Sequence, residues 1–331
     1  MAQVAGTFVS TSSNTNREEL SNVVDRITPE DTPIYSLISK STFKTTHPEW
    51  STDELEAPED NAQLEGDDYN FSATTPPERL GNYTQIMRRT GILSETQEAM
   101  DEAGNVLKVK EQIVKKGIVA RKDVEYSILS ANASVGGATR KSGSLSSWIE
   151  TNVSRGGGGA NGGFDSATGL TVAPTNGTQR AFTKALTDTV MQQGYQSGAN
   201  FRHLVVSPYV KSVFVTFMSD SNVASFRYAA SSGTNNSIVA NADVYEGPFG
   251  KVMIHPNRVM SEMGASAARN AFLIDTEYLE FGWFRKLKRD KDVAKTGDAK
   301  KFVVIGEGAL KVKNEKGLGV IADLYGLTAA S

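Results

Sequence analysis

The chain has 331 residues, a formal net charge of -3 and no cysteine. The length exceeds what one hydrophobic core serves, so two lobes with extensions are expected, and the near-neutral charge argues against a protein whose main task is gripping phosphates through a basic surface. The missing thiols exclude disulfides, thiolate catalysis and cysteine-ligated metals, and with no apolar run of about 18 residues the reading is a soluble, cytoplasmic product without a membrane span.

Residues 1–20 are rich in Ser, Thr and Asn with isolated apolar residues, the composition of a flexible arm. Leu20–Ile27 fits a short helix, which Pro29 and Pro33 break before Ile34-Tyr-Ser-Leu-Ile38 offers a small apolar anchor. Pro48–Glu78 carries many Asp and Glu but no Lys or Arg, and Arg79, Arg88 and Arg89 follow. A hairpin with an acidic tip fits better than a solvated loop, because structureless loops of this length usually have a role. Phe71–Pro77 and Leu80–Ile92 hold β-formers without the alternation of a sheet packed on its own core.

Ser94 and Gln97 match a capping box, and Met100, Ala103, Leu107, Val114, Val124 and Ile128 recur near helical spacing. One helix reaching Ala133, about 50 Å long, is expected. Gly104 and Gly117 mark a bend or a close contact in it, since glycine costs about 1 kcal/mol there. Gly136–Gly163 contains Arg155-Gly-Gly-Gly-Gly-Ala-Asn-Gly-Gly163, read as a flexible connector and the best domain boundary.

Beyond it, Gln179–Gln193 reads as a helix, His203–Ser207 as a buried strand and Pro208–Met218 as a helix opened by proline. A polar loop is expected over Ser219–Asn241. Strands are expected at Lys251–His255, Ala271–Asp275, Leu279–Leu287, Lys301–Lys313 and Leu318–Ala322, with Lys295-Thr-Gly-Asp298 as a hairpin tip.

The glycine run lacks the Gly-Lys-Ser/Thr ending of a phosphate loop and the strand and helix of a dinucleotide fingerprint. His47, His203 and His255 show no metal-ligand spacing, and Gly264-Ala-Ser-Ala-Ala268 lacks the last glycine of a nucleophile elbow. The carboxylates of residues 49–68 lack the ligand order of a calcium loop and read as a solvated or partner-facing surface. No catalytic, cofactor-binding or metal-binding residue is assigned, and a hydrolase is the enzyme alternative.

Several strings are distinctive together: Ile27-Thr-Pro-Glu-Asp-Thr-Pro-Ile-Tyr-Ser-Leu-Ile-Ser-Lys40, Glu49-Trp-Ser-Thr-Asp-Glu-Leu55, Asn61-Ala-Gln-Leu-Glu-Gly-Asp-Asp68 and Arg79-Leu-Gly-Asn-Tyr-Thr-Gln-Ile-Met-Arg-Arg-Thr90. With Gly177-Thr-Gln-Arg-Ala-Phe182, Ala294-Lys-Thr-Gly-Asp298 and Lys311–Leu324 they resemble the major capsid proteins of tailed bacteriophages, and the order of parts resembles the HK97-type capsid fold.

The resemblance implies an α+β fold with residues 1–40 as N-terminal arm, 41–93 as extended E-loop and 94–150 as peripheral domain with a spine helix. Residues 151–176 become a Gly-rich connector, 177–275 the axial domain, 276–317 peripheral strands and hairpin, and 318–331 a return to the axial domain. It assigns inter-subunit contacts to Trp50, Asp53, Glu65, Asp67, Asp68, Tyr83, Arg88 and Arg89, arm anchoring to Ile34, Tyr35 and Leu37, and a three-fold contact to Lys295, Thr296, Gly297 and Asp298. The implied function is self-assembly through hexamers and pentamers into a head shell around double-stranded DNA, held by weak non-specific contact. A shell enclosing a cargo enzyme, as in encapsulins, is the alternative that shares the fold. The implied partners are further copies of the chain, a separate scaffolding protein, a portal protein and a decoration protein, with no membrane. No lysine lies between Lys44 and Lys108, so covalent cross-linking from an E-loop lysine is not expected. The acidic loop is expected to pair with the basic flank of the Lys295 hairpin across subunits.

Overall fold

The computed structural model describes residues 28, 30–66, 68, 71–100, 108–216 and 243–328. The arm expected over residues 1–20, the helix over Leu20–Ile27 and the loop over Ser219–Asn241 lie outside them.

Two sheets carry the fold. The first has the order β1-β12-β13-β4, with β1 Ser39–Thr42, β4 Gln85–Ser94, β12 Leu279–Asp290 and β13 Ala299–Val312. Strand β1 runs parallel to β12, and the other pairs are antiparallel. Residues far apart in sequence therefore close one sheet. Helix α3, Val109–Leu129, lies against β4 and β13. Its buried residues Ala120, Val124 and Ile128 recur every fourth position and form one apolar stripe.

The second sheet has the order β5-β14-β11-β8-β10-β9, from β5 Val153–Ser154, β8 His203–Val206, β9 Val244–Gly247, β10 Gly250–Pro256, β11 Ala271–Ile274 and β14 Leu318–Ile321. Strands β8, β11 and β14 are buried on both faces. Alternation along them divides two cores. Val205, Phe272, Ile274, Leu318 and Val320 face a core shared with α3 and the first sheet. Leu204, Val206, Leu273 and Ile321 face a second core beneath α5 Lys184–Gln196 and α6 Pro208–Thr216.

The single long helix expected from Ser94 to Ala133 is broken. Ser94 does cap a helix by accepting the Gln97 N–H, but this helix, α2 Glu95–Ala99, ends at Met100, whose backbone is extended. Helix α3 then has 21 residues, about 32 Å. The two helix ends serve each other: Lys108 Nζ donates to the carbonyls of Glu98 and Met100, and the Glu98 carboxylate accepts the Val109 N–H at 2.9 Å. Among the described residues nothing packs within 4 Å of a Cβ built on Gly117, so no close contact with them requires that glycine. Gly104 lies outside the described residues.

Helix α5 starts at Lys184 rather than Gln179 because Arg180 is taken up in a strand-like bridge to Leu324. The glycine run is also not a flexible connector. The Gly156 N–H donates to the Asp323 carboxylate, Ala160 pairs with Thr175, and a Cβ on Gly156 would stand 2.0 Å from the Thr178 carbonyl oxygen. Lack of a side chain serves close backbone approach here, the other use of glycine. A short hairpin, β6 Gly163–Asp165 with β7 Leu170–Val172, follows without a sequence signal. His203 and His255, which have no spacing relation in sequence, meet across β8 and β10 with ring nitrogens 3.0 Å apart.

Candidate inter-subunit surface

Strands β2 Glu49–Thr52 and β3 Glu78–Gly81 pair antiparallel and form the neck of an excursion. Its described residues between 53 and 77 include no helix or strand, and all are exposed. Three large apolar side chains stand there in solvent: Leu55 is 99% exposed, Phe71 91% and Leu64 78%. Isolated exposed apolar residues are ordinary on protein surfaces, but three on one thin protrusion suit burial by another chain.

The neck is fixed firmly. Trp50 donates its indole N–H to the Val312 carbonyl at 2.7 Å, and its ring packs on Trp148 with centroids 5.7 Å apart. Asn82 is fully buried: it donates to the Leu310 carbonyl at 2.7 Å and accepts the Gly143 N–H at 2.9 Å. His47 stacks on Tyr83, and Arg79 pairs with Glu49. Thr45, His47, Glu49, Trp50, Ser51 and Arg79 line an open cleft of about 370 Å³ beside the neck.

Behind the neck the buried Glu307 carboxylate accepts from Thr84 Oγ1 at 2.8 Å and Arg140 Nη2 at 2.7 Å on one oxygen, and from Arg285 Nε at 3.1 Å on the other. Burial alone would push this carboxyl up, but those hydrogen bonds and the Arg285 charge outweigh it and hold it below the ordinary range.

The 32–42 segment is held by α3. Helix α1, Pro33–Leu37, has its Ile34 and Tyr35 N–H groups donating to the two Glu125 carboxylate oxygens at 2.9 and 2.8 Å. Tyr35 meets Phe281 and Trp283 edge-on, and Ile34 is fully buried. Leu37 is only half-buried; Ile38, 2% exposed, fills the core in its place. Burial pushes the Glu125 carboxyl above its ordinary value, although the Tyr35, Ile34 and Asn257 hydrogen bonds pull the other way.

The residues singled out in the sequence fall into two groups. Asp53, Glu65 and Asp68 are exposed on the excursion, Arg88 is exposed on β4, and Asp67 lies outside the described residues. Trp50 and Tyr83 are half-buried in the neck, and Arg89 forms a bidentate pair with Asp123 of α3. The Lys295–Asp298 stretch is the tip between β12 and β13, with Gly297 at φ 72°. Lys295 already pairs within the chain, with Glu95, and Thr296 accepts from Lys301. That pair lowers the Glu95 carboxyl and raises the Lys295 ammonium. Lys286, Lys288, Arg289 and Lys291 are exposed and form no ion pair among the described residues.

A profile of the SU10 major capsid protein family matches residues 5–325. The chain belongs to that family. The major capsid protein of Escherichia phage Phieco32 is 30% identical over 127 residues, which span 38% of this chain and 36% of that protein. The capsid of a native GTA particle superimposes with a TM-score of 0.62 at 12% identity, covering 95% of this chain and 97% of that one. The capsid of Myoviridae Phage XM1 does so with a TM-score of 0.59 at 11% identity, covering 96% and 99%. At such identity the likeness is one of fold, the HK97-type capsid fold, which is mixed helix and sheet as in this major capsid protein. Glu125, Glu307 and Asn82, which position its exposed segments, were not singled out in the sequence, because most of their hydrogen-bond partners lie 60 to 228 residues away.

Proposed function

We propose that this major capsid protein assembles with copies of itself, through hexamers and pentamers, into a closed phage head shell around double-stranded DNA. The excursion at 53–77 carries the reading: a protruding segment with Leu55, Leu64 and Phe71 in solvent gains stability only when another subunit covers it. On this reading residues 1–40 are the arm, anchored through Ile34, Tyr35 and Ile38, and 41–93 the E-loop. Residues 94–150 and 276–317 form the peripheral domain, 151–176 join it closely to the axial domain at 177–275, and 318–331 return to the latter. Asp53, Glu65, Asp67, Asp68 and Arg88 contact the neighbour, while Trp50 and Tyr83 hold the neck and Arg89 ties β4 to α3. The acidic tip faces Lys286, Lys288, Arg289 and Lys291 of a neighbour, since Glu95 occupies Lys295; such pairing steers register more than it adds affinity. The hairpin tip Lys295–Asp298 lies at a three-fold contact.

The role is structural and not enzymatic. Assembly takes place in the host cytoplasm with a separate scaffolding protein, a portal and a decoration protein, and DNA is held by weak non-specific contact. Electron cryomicroscopy of the purified chain with and without scaffold, paired with limited proteolysis, tests this. Closed particles in which residues 53–77 gain protease resistance are expected. A monomer at every concentration whose 53–77 segment already resists protease would overturn it.

A further inference from the structure

Just after β14, the chain gathers three guanidinium groups around one carboxylate. Asp323 is fully buried and has φ 62°, a left-handed backbone that few non-glycine residues adopt. Its carboxylate accepts the Gly177 N–H at 2.8 Å and the Gly156 N–H at 3.0 Å, with Arg269 Nε 3.3 Å from the first oxygen. Arg180 Nη2 donates to Ser154 Oγ at 2.9 Å and the Ala322 carbonyl at 3.3 Å; Arg155 Nε donates to Asn161 Oδ1 at 2.9 Å. Among the described residues, Arg155 Nη2 and Arg180 Nε are buried atoms without a hydrogen-bond partner, and Arg269 Nε meets Asp323 as an ion pair.

Charge does not balance here. Among the described residues Asp323 is the carboxylate acting on Arg155 and Arg180, Arg269 repels Arg155, and burial lowers both Arg155 and Arg180 from their ordinary values. Two backbone amides already occupy that carboxylate, so it cannot satisfy three cations. Arg269 is taken up by Asp323 and the Gly177 carbonyl, which leaves the half-buried Arg155 and Arg180 short of negative charge, and a second oxyanion beside them would supply it.

We propose that Arg155 and Arg180, beside the Arg269–Asp323 pair, form an oxyanion site that receives a carboxylate from the acidic excursion of a second copy of this chain. The inference rests on the shell reading. Charge complementarity selects the occupant: Asp53, Glu56, Glu59, Asp60 and Glu65 are exposed, and Pro48–Glu78 contains no Lys or Arg. The half-buried arginines suit a single side chain on a thin extended segment better than the rigid phosphate rail of a duplex.

The test compares the full chain with R155Q/R180Q and with the charge-preserving R155K/R180K, leaving the Arg269–Asp323 pair intact. Thermal denaturation of dissociated protein in inorganic phosphate, against chloride at matched ionic strength, reads the site without assembly. Phosphate is expected to raise Tm for the wild type, less for the lysine variant and not for the glutamine variant. The concentration at which particles form is expected to rise at least about tenfold for R155Q/R180Q, with a flatter salt dependence. In particle maps, density should join a neighbour's Asp or Glu to Arg155 or Arg180. A wild type indifferent to phosphate, or particles whose site holds nucleic acid or nothing, overturns the proposal. Failure of the wild type to form any particle sinks the shell reading, and a phosphate response would then leave the oxyanion site standing without its subunit partner.

Discussion

Replacing Leu55, Leu64 and Phe71 together by serine should separate folding from assembly. In the free chain these side chains are 99%, 78% and 91% exposed, so their removal is expected to change unfolding free energy by no more than about 0.5 kcal/mol. Covered by a neighbour, each contributes about 1.5–3 kcal/mol, or roughly 4.5–9 kcal/mol per subunit. Ordering the excursion offsets part of this, which favours the lower end. At about 1.4 kcal/mol per factor of ten, assembly should then require at least about a thousandfold more protein. Urea denaturation of dilute chain measures the first quantity; light scattering with electron microscopy over a concentration series measures the second. A variant that forms particles at the wild-type concentration, or that loses more than about 2 kcal/mol as a free chain, would refute the reasoning.

Asn82→Ala strips the Leu310 carbonyl and the Gly143 N–H of their buried partner and should lower the unfolding free energy by about 2–4 kcal/mol, read from urea midpoints. Gly156→Ala places a Cβ 2.0 Å from the Thr178 oxygen and is expected to abolish soluble expression. Gly157→Ala, which meets nothing within 4 Å, should leave Tm nearly unchanged, and equal behaviour of the two would disprove the close approach. Glu125 has a raised folded value, so the native state holds this proton better than the unfolded chain. Its contribution is fully present below the ordinary value of 4.5 and is lost as pH rises through the folded value. Glu125→Gln cannot titrate, so its stability should fall less than that of the wild type above pH 4.5; parallel curves would count against the assignment.

Much of the second sheet was readable as sequence because β8, β11 and β14 are buried on both faces and therefore appear as continuous apolar runs. The β12–β13 hairpin was readable from its turn chemistry, and α2 began where Ser94 and Gln97 placed it. Its end was not, since helical spacing continues through Leu107 while the chain leaves the helix at Met100 to let Lys108 and Glu98 join the two ends. Composition could not separate the two uses of glycine, so close packing beside Asp323 looked like a loose linker. The excursion stood out by its missing periodicity and one-sided charge. What holds it did not: the Trp50–Val312 bond spans 262 residues, and local pattern carries no sign of so distant a partner.

The neck closes on residues more than 220 positions further along the chain. Trp50 and Asn82 reach the Val312 and Leu310 carbonyls, and β4 completes its ladder only against β13. During synthesis, residues 49–94 leave the ribosome while those partners have yet to be joined. A nascent or truncated chain therefore has no seat for its protrusion and cannot offer it in a defined direction. A defined protrusion is thus the mark of a chain translated past β13.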